Sequence, residues 1–161
     1  MEEEAKKFIE ELESRHGGKV VYRTFSTWFA SNQGVIREFG VFIYEINGTF
    51  YFEDFERKPS LFGFSLRPRK NRSPYIKMEG SFTADSVETV SRVIKSQANS
   101  CALGYRGQET IAPAGKFQQI FGSLVTRVVL KDGATYFFEV INHKEFKQAL
   151  GEATSGGIQG V

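Results

Sequence analysis

Cysteine, tryptophan and histidine are nearly missing from this chain, with one, one and two among 161 residues. A lone Cys101 forms no internal disulfide, so a reducing compartment or indifference to redox state is expected. One cysteine with His16 and His143 is too few for a structural zinc site, and neither histidine stands in a His-Glu-x-x-His arrangement. No segment approaches the ~20 apolar residues that span a bilayer. The opening Met1-Glu-Glu-Glu-Ala-Lys-Lys has neither the basic start nor the apolar run of a secretory signal, and a cytoplasmic location is expected. Internal repeats and low-complexity tracts are also lacking. No metal, no cofactor and no catalytic residue are expected. Gly104-Tyr-Arg-Gly107 lacks the Lys-Ser/Thr of a phosphate loop, and no oxyanion-loop pattern surrounds Cys101 to support a Cys101–His143 nucleophile pair.

What is present is phenylalanine, 16 residues of it, within an aromatic content of 14%. Phe has high strand propensity and fills a small β core efficiently. Two tight hairpins frame the chain. The first runs Gly40–Ile46, Asn47-Gly48, Thr49–Phe55; the second runs Leu124–Lys131, Asp132-Gly133, Ala134–Val140. Asn-Gly and Asp-Gly supply the positive φ angles of turns that match strand twist. A two-residue turn at Asn47-Gly48 sets Ile43 opposite Phe52 and Tyr44 opposite Tyr51. Apolar residues on both faces imply that one side faces the core and a helix covers the other.

Around these hairpins, Ala5, Phe8, Ile9 and Leu12 form one stripe of an N-terminal helix in segment 1–18, ended by Gly17-Gly18. A strand is predicted at Lys19–Phe25, then a loop at 26–34 that carries Trp28 and Phe29. Leu61–Leu66 and Tyr75–Phe82 read as further strands. Asp85 and Glu88 have capping-box spacing, and Val87, Val90 and Ile94 suggest a helix over 85–98. The Gly-rich stretch to Gly122 is weakly periodic, with a helical turn possible around Phe117–Phe121. Lys144–Leu150 reads as a closing helix, and 152–161 as a frayed tail.

This order resembles the pleckstrin-homology-like (PH-like) superfold, in which a strongly bent sheet of seven strands is capped at one open end by a C-terminal helix. The resemblance covers roughly residues 19–151 and is carried by element order and by Phe138 and Val140 leading into Phe146 and Leu150. It implies an α+β, mainly β fold: a bent antiparallel sheet or barrel with a C-terminal cap, an N-terminal helix and a helical, Gly-rich insertion near 84–122. Val128, Phe137, Ile43 and Phe52 should then be buried. The closing helix carries Phe146 where such domains usually carry Trp. Fold order does not carry function, since PH-like barrels bind lipids, peptides or proteins.

The formal net charge of +2 implies no partner, but its distribution is uneven. Six Glu crowd the first thirteen residues, whereas seven basic residues and no acidic one lie between Arg57 and Met78. Arg57, Lys58, Arg67, Arg69, Lys70 and Arg72 interleave with Phe62, Phe64 and Tyr75. Such a segment can neutralise phosphates of an anionic phospholipid or of nucleic acid, with Phe64, Tyr75 or Trp28 as aromatic contacts. It can equally be a solvated loop that guards a sheet edge. The expectation is a non-enzymatic binding or scaffolding module for a protein or an anionic ligand. A nucleic-acid or phosphate-binding module using residues 57–77 is the alternative.

Overall fold

The structure, a computed structural model, describes residues 2–38, 40–54 and 77–154. Helix α1 (Glu2–His16) leads into β1 (Val20–Ser31), β2 (Ile36–Arg37), β3 (Val41–Ile46), β4 (Thr49–Asp54), β5 (Glu79–Thr83) and β6 (Val87–Ile94). Helices α2 (Lys95–Ala102) and α3 (Lys116–Phe121) follow, then β7 (Leu124–Leu130), β8 (Thr135–Val140) and α4 (His143–Ala153). Among the described residues all pairings are antiparallel, in the order β5-β4-β3-β1-β8-β7-β6, with β2 attached to β1. The result is a bent, mainly β sheet with a helix at each end of the chain. Among the described residues β5 and β6 do not pair, so the sheet is open rather than closed into a barrel.

β1 is the long central strand that makes the bend. Its first half pairs with β3 from Val20 to Ser26, and its second half pairs with β8 from Ser26 to Ser31. A register shift between Ser26 and Phe29 marks the change of partner, and such irregularities sharpen local twist. The expected loop at 26–34 is therefore mostly strand. Trp28 is buried, with 5% of its surface exposed, because the second half of β1 has its own partner and its own covering helix. The expected helix over 85–98 is also corrected: 87–94 is strand β6, and the helix begins only at Lys95. Val87, Val90, Val93 and Ile94 are β-branched, and β6 bonds to β7 along its length.

The first hairpin has the expected register, Ile43 opposite Phe52 and Tyr44 opposite Tyr51. Asn47 and Gly48 both have positive φ, 53° and 80°, as the two-residue turn requires. The second differs. Leu130 and Ala134 bond across a three-residue loop in which only Gly133 has positive φ, the geometry of a type I turn closed by a glycine bulge. The strand expected at Leu61–Leu66, and the first residues of that at Tyr75–Phe82, lie outside the described residues.

Among the described residues three cores form on the two faces. The inner face holds Phe29, Phe50, Phe52, Phe82 and Phe138 with Ile43 and Val128, closed by Phe146, Ala149 and Leu150 of α4. Phe146 meets Phe138 edge-on at 5.8 Å and Phe50 at 6.1 Å, the offset geometry aromatic rings prefer. On the outer face of β3, Leu12 with Phe8 and Ile9 of α1 covers Phe42, Tyr44 and Ile46. The double cover explains why all six residues of β3 are buried. The outer face of the other half carries Trp28, Val93, Val125 and Phe137 beneath Ala98, Cys101 and Ala102 of α2. Phe137 is thus buried as expected, but on the outer face.

Candidate binding surface

The segment between β6 and β7 is built on that third core. α2 packs its small residues onto Trp28, and Lys95 Nζ lies 5.3 Å from the centre of the indole ring. Arg127 on β7, buried, then ties down the crossing chain: its guanidinium donates to the carbonyls of Gln108 at 3.0 Å and Ile111 at 2.6 Å. Ala114 N donates to Arg92 O at 2.8 Å, and Lys95 N donates to Ser123 O at 2.9 Å. Both ends of the piece that contains α3 are therefore fastened to the end of β6, the outermost strand of this half.

α3 has the sequence Lys116-Phe-Gln-Gln-Ile-Phe121. Its polar side chains fold back on its own base: Gln118 Oε1 accepts from Gly115 N and Gln119 Nε2 donates to Ala114 O, each at 3.0 Å. Its apolar side chains do the opposite. Phe117, Ile120 and Phe121 are 75%, 72% and 75% exposed, and the two phenyl rings lie against each other with centres 4.9 Å apart. At this exposure the two rings alone present on the order of 300 Å² of apolar surface. The largest apolar patch on a typical monomer is of about this size and is often functional. The spacing i, i+3, i+4 in Phe-Gln-Gln-Ile-Phe was readable, but not that the stripe would face outward.

The residues expected to bind are not part of this segment of the chain. Arg57, Lys58, Arg67, Arg69, Lys70 and Arg72, with Phe64 and Tyr75, lie outside the described residues. Trp28 is enclosed by α2. Cys101 and His143 are not brought together, since Cys101 packs with Val125 on the outer face and His143 bonds to Thr126, the next residue, on the inner. Burial and the Glu109 carboxylate push the Cys101 thiol up, holding it neutral. His143 is the first residue of α4, which Asn142 caps by accepting from Glu145 N.

A groove of about 390 Å³ lies between α4 and the β1–β3 pair, lined by Tyr22, Glu45, Glu145 and Glu152. Burial, reinforced by Glu152, raises the Glu45 carboxyl above its ordinary value, while a bond from the Gly48 backbone opposes the shift. Its acidic lining suits no anionic ligand.

No described helix is long and apolar enough to cross a membrane. No family model, curated protein or solved structure matches the chain, so the assignment of function rests on this geometry.

Proposed function

We propose that the chain is a non-enzymatic binding module of the PH-like kind that docks a protein partner through α3. The carrying observation is the inverted amphipathicity of α3, whose glutamines bond inward while Phe117, Ile120 and Phe121 face solvent. Exposed aromatic residues beside a polar rim form the centre of many protein interfaces. The PH-like reading is supported by the central bent β1, shared between two three-stranded halves, and by the C-terminal helix that closes the aromatic core. The charge around α3 points to an acidic rim on the partner. Lys116 on α3 is exposed and takes part in no ion pair among the described residues.

A second copy of this chain fits less well. Two α3 helices meeting face to face would bury less than the ~1,200 Å² that stable interfaces need. The test compares wild type with the triple variant F117S/I120S/F121S as immobilised baits, read by quantitative mass spectrometry. The expected result is at least one acidic-surfaced protein held by wild type and lost from the variant, with both baits equally folded. Identical retained sets would overturn the proposal.

A further inference from the structure

Two strands and a helix bring a second group of side chains together, at the end of the inner face where α4 begins. Arg92 on β6 stands directly opposite Thr126 on β7, so the two point the same way with Cβ atoms about 4.5–5.5 Å apart. Thr126 Oγ1 is 2.7 Å from His143 Nδ1. Lys147, four residues on, shares the His143 face of α4.

This corner is cationic without compensation. Neither Arg92 nor Lys147 takes part in an ion pair among the described residues. Arg92 Nε is buried and donates to no acceptor there, a situation that natural structures rarely leave unmatched. The charges felt by His143 are those of Arg92 and Lys147, both positive, and with burial as the leading cause they push its pKa down to about 4. The carboxylates of α4 are on its other flank, where Glu145 and Glu152 line the groove with Glu45. Glu139 is taken up by Lys95 at 3.2 Å and Thr27 at 2.7 Å.

We propose that Arg92, His143 and Lys147 form a binding site for a phosphate-type oxyanion, with Thr126 as the residue that orients the imidazole. A guanidinium offers the fork of donors that suits tetrahedral oxygens, and the ammonium adds a mobile point charge. A hydroxyl donating to Nδ1 leaves the ring proton on Nε2, where it donates to the anion. The bound anion then offsets the two cations and favours the imidazolium form of His143. The site is separate from α3 but joined to it, because the backbone carbonyl of Arg92 holds Ala114 at the foot of that helix.

The test follows the ring signals of His143 by NMR through a pH titration, in inorganic phosphate and in chloride of equal ionic strength. Phosphate is expected to raise the His143 pKa by about one unit, a tenfold preference of the anion for the imidazolium form. Lys147→Gln, a surface change that leaves the core intact, and Arg92→Gln are each expected to remove most of the rise. Co-sedimentation with phosphatidylcholine vesicles with and without phosphatidic acid separates the sources. Phosphatidic-acid binding that Lys147→Gln weakens assigns a lipid headgroup, and a phosphate response without it assigns a free phosphate. Titration of His143 that is the same in both salts, with no binding to phosphatidic acid, overturns the proposal, as does a rise that survives in both variants.

Discussion

α1 and α3 carry the same kind of apolar stripe and put it to opposite uses. In α1, Phe8, Ile9 and Leu12 lie on Phe42, Tyr44 and Ile46; Leu12 is wholly buried, and Phe8 meets Phe42 at 5.5 Å. In α3, Phe117, Ile120 and Phe121 are each more than 70% exposed, and the two phenyl rings lie against each other. The difference lies in what stands opposite. α1 is fifteen residues long and crosses a sheet face whose own residues are apolar, whereas α3 is six residues long and is fastened at its ends beyond the edge of the sheet. Apolar surface docked on a sheet stabilises the fold. The same surface held out on a tethered turn contributes nothing to folding and is available for contact.

If that contrast holds, substitutions in the docked helices cost stability and those in α3 do not. The largest loss is expected for Phe146→Ala in α4, about 3–5 kcal/mol for a fully buried ring, measured by urea unfolding. An exposed or mobile Phe146 would show as a loss below 1 kcal/mol and break the account of the inner core. Leu12→Ala is expected to cost about 2–5 kcal/mol; a near-neutral result would mean that α1 is as undocked as α3.

An intermediate effect comes from pH. His16 and His143 are both held below the ordinary value of 6.5, first by burial and then by Arg15 for His16 and by Arg92 and Lys147 for His143, which falls to about 4. Between those limits the unfolded chain binds protons that the folded chain refuses. The contribution of His143 is complete above about pH 6.5 and is lost as pH falls towards about 4. His143→Gln should flatten that decline in urea midpoints, and equal slopes for variant and wild type would contradict it. The smallest effect sharpens the comparison most: each serine of F117S/I120S/F121S should change stability by no more than about 0.5 kcal/mol. A cooperative loss of several kcal/mol would show that α3 is core.

Hairpin register was readable because turn chemistry and alternation are local, and the pairing of Ile43 with Phe52 follows from Asn47-Gly48 alone. The covering of both faces of β3 was readable for the same reason. Segment 85–98 was misread because Val87, Val90 and Ile94 suit a helical stripe as well as a strand; β7, some thirty residues later, decides between them. That misreading also hid Arg92, which becomes a neighbour of Thr126 and His143 only once β6 is paired. Trp28 looked like a loop residue because nothing nearby in the sequence shows that β1 continues along β8. The exposure of α3 depends on the tethers at Arg92 and Lys95, which are tertiary contacts with no local signature.

The central claim, that α3 is the contact element, is tested most directly by photo-crosslinking from a photoreactive residue placed at position 120, with position 10 on the exposed side of α1 as control. The account predicts a discrete adduct from position 120, none from position 10, and loss of the adduct when Phe117 and Phe121 are also changed to serine. The same adducts from both positions, or an adduct that survives the two serines, would contradict it.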